Sequence, residues 1–263
     1  MDLTQATILG LIQGITEWLP ISSTGHLRIA EHFFGLTVPL LFDVVLHFGT
    51  LLVVLLFFRG DIRQILGAIY QRDFKSETGK LIPLIIIGTI PTVLIGFFIG
   101  DLLDTYFSSL LALGGGFIFS AIVLYASKSG KDTEEGISYI QALLIGIAQG
   151  LAIIPSISRS GLTIAAALLL GIKREKAFKF SFLLSVPSTV GALGLTLYEQ
   201  HDLLTLADIG LAETIVGIAV SIFVSFFALK FLWRTLTSRK FHLFALYCTA
   251  IGIVLIVLSL AGF

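Results

Sequence analysis

Long apolar runs alternate with short polar ones along the whole chain. Runs of span length lie at about 40–58, 81–100, 110–126, 180–198, 212–230 and 242–262. Each approaches the ~20 apolar residues that cross a bilayer as a helix. Two further apolar stretches, 3–19 and 139–154, are interrupted at Pro20 and at Pro155–Gly161. Both then resume as short apolar pieces, to about Phe34 and Gly171. Proline lacks an N–H and clashes with the preceding turn, so each stretch reads as a helix, a break and a second short helix. The pattern predicts an all-α polytopic membrane protein.

Composition agrees. The 263 residues have a mean hydropathy of +0.99, and 13% are charged, against roughly 25% in soluble domains. The length suits one bundle, so 1–263 is expected to be a single membrane domain. The formal net charge is zero, which gives no reason to expect a nucleic-acid partner. Cys248 is alone in an apolar run, so neither a disulfide framework nor a cysteine metal site is expected. The N-terminus lacks the basic segment of a cleaved signal, and the first helix is expected to stay in the mature chain.

Charge adds a topology. Apart from Arg28 and Arg159, every lysine and arginine lies in 59–80, 127–138, 173–179 or 230–240. Cytoplasmic loops are enriched in these residues. With 59–80 inside, Asp101 and Asp104 fall outside and 127–138 inside. The segment 139–171 then starts inside and must end inside, because Lys173, Arg174, Lys176 and Lys179 follow it. It therefore enters and returns. Its second arm of about ten residues would be near 15 Å long, half a bilayer. The acidic loop with Glu199, Asp202 and Asp208 is outside, as is the C-terminus. Worked backwards, 1–39 is a matching hairpin entering from outside, so both termini are expected there.

Each half is thus predicted to be one re-entrant helical hairpin plus three transmembrane helices. Three crossings is odd, so the second half, 139–263, is inverted relative to the first, 1–126. The letters repeat too. Gln5, Gly10, Gln13 and Gly14 align with Gln141, Gly146, Gln149 and Gly150, and Pro20 and Ser23 align with Pro155 and Ser158 after one deletion. The two glycine pairs at small-xxx-small spacing are expected to let the re-entrant helices pack closely. The Gly114–Gly116 run reads as another close contact.

The breaks carry the candidate chemistry. Glu17 is an ionisable group in an apolar helix, with Gln13 one turn earlier on the same face. The competing reading is a carboxylate at the outer interface. Ser22, Ser23, Thr24 and His26 follow the first break and precede a new helix, where backbone N–H groups and the dipole favour an anion such as phosphate. Ordinary N-capping explains the hydroxyls without explaining His26. Arg159 lies at the second break between Ser158 and Ser160, with Thr163 one turn on. A guanidinium binds phosphate oxygens bidentately. Its alternative role is a structural partner for Glu17 or Asp43. Asp43 and His47, one turn apart, either support the site or sit at the interface. Arg28 and Glu31 either pair at the surface or guide a head group. His32, His201 and His242 read as loop or interface residues. Acid, hydroxyls and imidazole from one half, with arginine and hydroxyls from the other, suit a phosphorylated lipid better than a soluble nucleotide.

These two stretches resemble the signatures of the undecaprenyl-pyrophosphate phosphatases of the bacitracin-resistance (BacA/UppP) family. The first signature, Glu or Gln, three residues, Glu, then Ser-Ser-Thr-Gly-His, is matched by Gln13, Glu17 and Ser22–His26. The second, Pro-Gly-x-Ser-Arg-Ser-x-x-Thr, is matched from Pro155 to Thr163, with Ser156 in place of glycine. The likeness runs along the whole chain. It implies hydrolysis of a polyprenyl diphosphate lipid to the monophosphate plus inorganic phosphate, recycling of the cell-wall lipid carrier, bacitracin resistance, and a site on the outer side of the plasma membrane. On this reading Glu17, with Gln13, holds a divalent cation, Mg²⁺ or Ca²⁺, or else orients the nucleophile. Arg159, Ser158, Ser160 and Thr163 bind the terminal phosphate. Ser23, Thr24, His26 or water attacks, with His26 or Glu17 as base. A homodimer is one candidate assembly. The main alternative is a transporter or flippase of polyprenyl phosphate, because inverted repeats with broken helices are a transporter design. An ion channel is a weaker alternative, because a selectivity ring would repeat one sign of charge.

Overall fold

The computed structural model describes residues 1–35, 40–106, 109–133, 136–199 and 210–262, and its regular elements are all helices. α1 (Leu3–Thr16) and α2 (Ser23–Phe34) form the first broken pair. α3 (Leu40–Phe57), α4 (Arg59–Gln71), α5 (Leu81–Tyr106) and α6 (Leu110–Ala126) follow. α7 (Tyr139–Leu151) and α8 (Arg159–Leu169) form the second broken pair. α9 (Arg174–Glu199), α10 (Leu211–Thr237) and α11 (Phe244–Leu260) complete the chain. Among the described residues, 5 helices (α5, α6, α9, α10 and α11) are long and apolar enough to cross a membrane; α3 joins them as a sixth when taken with α4, which turns away from it by 78°. The architecture is that of a multi-pass membrane protein. The side chains of Asp101, Asp104 and Glu199, and all of His201, Asp202 and Asp208, lie outside the described residues.

Both broken pairs start in the same way. Asp2 caps α1: its Oδ1 accepts from Gln5 N at 2.7 Å, and Gln5 Oε1 accepts from Asp2 N at 3.0 Å. Ser138 caps α7 with Gln141 in the same reciprocal arrangement, at 3.2 and 2.8 Å. Two otherwise unpaired backbone N–H groups are satisfied at each helix start, which accounts for the aligned Gln5 and Gln141. α1 ends at Thr16, about a turn before Pro20. α7 ends at Leu151, ahead of Pro155.

The glycine pairs are used differently from the expectation. Gly10 and Gly14 face α10, where an added Cβ would lie 2.6 Å from Gly217 O and 2.8 Å from Ser221 O. Gly146 and Gly150 face α5, with Gly88 O 2.1 Å and Ile95 Cδ1 2.5 Å from an added Cβ. Lipid tails are as apolar as leucine, so helix association here depends on close backbone packing. The long spans supply that surface, and the two short helices do not pack on each other through these glycines. α3 packs on α10 and α9 on α5, while α6 and α11 pack on each other. Gly114 serves that last contact and Gly116 meets Pro155 and Ser156, but Gly115 faces open space.

Two boundaries also differ. Arg59–Gln71, read as part of a polar connection, is the helix α4, with Ile62 and Ile65 against the core and Arg63, Gln64, Tyr70 and Gln71 exposed. Such an amphipathic helix bent off a span suits the membrane interface, and its narrow apolar stripe is too weak to register as a span. α9 starts at Arg174, well before 180. Three of its early charges are paired: Arg174 with Asp132, Lys176 with Glu77 at 3.1 Å, and Lys179 with Asp61. Paired charges let the helix run past the apolar boundary. Beneath them Trp18, Phe58, Phe178 and Phe182 are buried, with Phe178 and Phe182 ring centres 4.6 Å apart. Phe97, Phe98, Phe223 and Leu246 are exposed on the outer surface, the side available to lipid.

Candidate active site

The two breaks meet. Ser160 Oγ donates to Leu19 O at 3.3 Å, and a Cβ on Gly161 would lie 3.3 Å from Pro20 Cβ. Gly25 approaches Ser156 so closely that an added Cβ would be 3.1 Å from its Cα. The first break is also tied to the spans, since Cys248 Sγ donates to Pro20 O at 3.5 Å and Ser225 Oγ to Gly14 O at 3.2 Å.

Glu17 is the centre of the cluster and is 8% exposed. Arg159 Nη2 donates to its Oε1 at 2.5 Å. Ser23 Oγ donates to Oε2 at 2.6 Å, and Gln13 Nε2 to Oε2 at 3.1 Å. Arg159 is the first residue of α8, so the pair joins the two halves of the chain. Its Nη1 donates to Thr189 Oγ1 at 2.5 Å, and its guanidinium carbon lies 5.4 Å from the centre of the Trp18 ring. The guanidinium is thus held as a fork between a carboxylate and a hydroxyl, and 22% of the side chain remains exposed. A carboxylate this buried would cost several kcal/mol without its donors.

The remaining hydroxyls divide. Ser22 and Ser158 are N-caps: Ser22 Oγ accepts from Gly25 N at 3.2 Å, and Ser158 Oγ accepts from Gly161 N at 3.1 Å. The first amides of α2 and α8, ahead of the capped Gly25 and Gly161, have no partner within their own helices. Ser160 Oγ lies 3.3 Å from Ser158 Oγ. Thr163 Oγ1 donates to Arg159 O at 2.9 Å, one turn back. A small cleft of about 10 Å³, room for about one water, adjoins Arg159, lined by Trp18, Ser160, Thr163, Ser181, Phe182 and Ser185. Thr24 is exposed, and none of these hydrogen bonds involves it.

His26 is not joined to this hydroxyl cluster through its side chain. Nδ1 lies 2.7 Å from Ser22 O, and a carbonyl only accepts, so Nδ1 carries the proton. Nε2 is then the acceptor for Tyr247 Oη at 2.7 Å. The ring also stacks on Tyr247, with centres 5.7 Å apart, and meets Phe117 edge-on at 5.4 Å. Both ring nitrogens are engaged, and the proton of Ser23 faces Glu17.

Asp43 and His47 are at the site and not merely at an interface. His47 Nε2 lies 3.7 Å from Glu17 Oε2, and Nδ1 lies 3.4 Å from Asp43 Oδ1. Arg28 pairs with Glu31 at 3.6 Å, one turn along α2. His32 is exposed, and His242 is in the turn before α11. Sequence reasoning missed Thr189, Trp18, Tyr247 and Ser188. Thr189, Ser188 and Tyr247 lie in ordinary apolar helices and Trp18 in the turn after α1, and only Thr189 and Ser188 follow a signal, the mid-helix Pro187.

The second copy of the motif carries Ile153 where alignment with Glu17 would place an acid. Gln149 accordingly turns to hydroxyls, donating to Ser188 Oγ at 2.7 Å and Thr92 Oγ1 at 3.1 Å. Only the first break holds the carboxylate. Among the described residues no three His, Cys, Asp or Glu side chains converge as a metal cage. The oxygens that could meet a cation are those of Glu17 and Gln13 Oε1, which is buried without a partner.

Residues 6–254 match the family model described as bacitracin resistance protein BacA. The chain belongs to the BacA family. It is similar to an undecaprenyl-diphosphatase of Carboxydothermus hydrogenoformans, 43% identical over 100% of this chain and 99% of that one. It resembles proteins of the same name from Methanosphaera stadtmanae, at 39% identity over 98% and 99%, and Korarchaeum cryptofilum, at 37% over 97% and 99%. These BacA-family relatives are matched end to end, so the likeness covers both breaks and all the spans.

Proposed function

We propose that this chain is a membrane hydrolase that converts undecaprenyl diphosphate to the monophosphate and inorganic phosphate. The observation that carries the reading is the Ser23–Glu17–Arg159 chain, at 2.6 and 2.5 Å, in which a hydroxyl, a base and a phosphate-binding cation converge from two halves. Its family membership and the names of its relatives support the same substrate. Such a reaction returns the cell-wall lipid carrier to use and removes the diphosphate that bacitracin sequesters.

Ser23 Oγ attacks the terminal phosphorus while its proton passes to Glu17. The bond from that phosphorus to the bridging oxygen breaks, and the lipid monophosphate leaves. Glu17 gives that proton up to the departing lipid monophosphate. Water then attacks the phosphoserine and passes a proton to Glu17. The bond from phosphorus to Ser23 Oγ breaks, Glu17 returns the proton to Oγ, and inorganic phosphate departs. Arg159 exchanges its bond to Glu17 for phosphoryl oxygens, and Ser158, Ser160 and the first amides of α8 add donors. His26, held by Ser22 and Tyr247, shapes the start of α2. This assignment favours Ser23 over Thr24 and His26 because only Ser23 reaches a base.

Glu17 and Gln13 Oε1 fit a Mg²⁺ or Ca²⁺ that takes its other ligands from diphosphate and water. Such an ion would neutralise phosphate charge and polarise the terminal phosphoryl group. The inverted repeat is supported by the matched capping boxes and by the paired contacts α1–α10 with α7–α5 and α3–α10 with α9–α5. With the basic loops in the cytoplasm, the first hairpin enters from outside and the site faces that side of the plasma membrane. A carrier of lipid phosphate would need Arg159 but no hydroxyl on a base, so the transporter reading is not favoured.

The test is phosphate release from C55 diphosphate by detergent-purified protein, with and without EDTA, beside Arg159→Ala. Release that disappears in Arg159→Ala is expected, and loss in EDTA with recovery in Mg²⁺ or Ca²⁺ would support the cation. No release from folded, metal-supplied wild type would overturn the reading.

A further inference from the structure

Glu17 faces donors on both oxygens, and one of them has no place yet in the reaction. His47 comes from α3, with Asp43 one turn before it. Its Nδ1 lies 2.9 Å from Asp43 O, the usual i to i−4 direction, and 3.4 Å from Asp43 Oδ1. Nδ1 is therefore an N–H, and Nε2 also faces a carboxylate oxygen, Glu17 Oε2 at 3.7 Å. The ring thus meets Glu17 as an imidazolium with a hydrogen on each nitrogen, an ion pair rather than a hydrogen bond. Oε2 is the oxygen that receives the Ser23 hydroxyl.

We infer that His47 is a positioning residue for Glu17, oriented in turn by Asp43. This rests on the hydrolase reading above. The reason lies in what substrate does to the cluster. Arg159 fixes Oε1 in the free site, but it is also the group that a diphosphate would claim. Once its fork turns to phosphate, Oε1 loses its protein side-chain donor. Gln13 and Ser23 both bond to Oε2, and Ser23 is the group being deprotonated. His47 is the remaining contact from a different helix. It keeps the carboxylate plane aimed at Ser23 while the bond to Arg159 is broken. An imidazole braced by a carboxylate suits this task, because the brace fixes the ring orientation.

The role predicts an effect on turnover rather than on binding, since His47 acts when substrate already occupies Arg159. Wild type, His47→Ala, His47→Gln, Asp43→Asn and the His47→Ala/Asp43→Asn double variant would be compared for kcat and KM on C55 diphosphate. Each would be checked for a monodisperse folded peak in detergent. The expected result for His47→Ala is a kcat lower by about tenfold or more with KM within about threefold. His47→Gln, whose amide N–H can replace Nε2–H, should recover most of that loss. Asp43→Asn should lower kcat less than His47→Ala does and add nothing in the double variant, because it acts through His47.

A merely structural link between α1 and α3 would lower thermal stability and leave kcat of the folded fraction unchanged, which would overturn the inference. Equal loss in His47→Ala and His47→Gln, or losses that multiply in the double variant, would also overturn it. Should His47→Ala not fold, His47→Asn, whose shorter amide falls short of Glu17, is read in its place with the same expected drop. Activity absent from wild type would instead remove the hydrolase reading itself.

Discussion

Replacing Ser156 with glycine should make this protein more stable without changing its chemistry. Ser156 is fully buried in the second break, with φ at 68°, in the left-handed region. That conformation costs an L-residue roughly 1–2 kcal/mol that glycine does not incur. Its hydroxyl is buried without a hydrogen-bond partner, a further ~1–3 kcal/mol. Two terms oppose. Glycine gives the unfolded chain about 0.5–1 kcal/mol more freedom, and removing the buried methylene loses about 0.8 kcal/mol. The balance is a gain centred on about 2 kcal/mol. The loop is tight here, since an added Cβ on Gly116 would meet Ser156 Cβ at 2.9 Å, so losing the side chain relieves crowding rather than opening a large void. For a chain of this size ~1 kcal/mol corresponds to a Tm rise of about 2–4 °C. Thermal unfolding of purified protein in one detergent measures it, with Ser156→Ala as the control. Alanine removes the unpaired hydroxyl but keeps the strained φ. If glycine proves no more stable than alanine, the strain argument is wrong. Phosphate release should stay within about twofold, because none of the hydrogen bonds around Glu17 uses Ser156.

Glu17→Gln should abolish turnover in protein that remains folded, and phosphate release within about tenfold of wild type would refute its role as base. Gly146→Ala should destabilise by about 2 kcal/mol or more, because the new Cβ would lie 2.1 Å from the backbone of Gly88; Gly191→Ala, which meets nothing within 4 Å, should not lower Tm. Asp132→Asn should cost about 1–3 kcal/mol in thermal unfolding, because Arg174, 8% exposed, loses its carboxylate while Asn still suits the left-handed φ of 61°.

Much of the fold was legible because a bilayer imposes simple rules. A span needs a continuous apolar run, and α5, α6, α10 and α11 were found that way. The broken pairs were legible through Pro20 and Pro155, and their candidate residues through polar groups that lipid does not tolerate without reason. The legibility failed wherever an element was short or its charges were satisfied elsewhere. α4 was hidden because its apolar stripe is one face of a helix. The start of α9 was hidden because three of its charges are paired by other segments. Local motifs also overstated His26: adjacency in sequence put it with the serines, while the turn of α2 sends its ring to Tyr247.

What the sequence determined by itself is what hydropathy, proline and residue chemistry fix locally: a helical membrane bundle, two breaks, and an acid, an arginine and hydroxyls at those breaks. What the tertiary structure decided is which of these groups touch. Glu17 and Arg159 are far apart in the chain, and Arg159 and Thr189 lie on different helices; the packing of α8 on α9 and α6, with α3 between α9 and α10, brings the two breaks to one point. The same packing turns His47 toward Glu17. Side-chain convergence depends on helix rotation and depth within the bundle, which contacts between helices set and which periodicity along one helix does not encode.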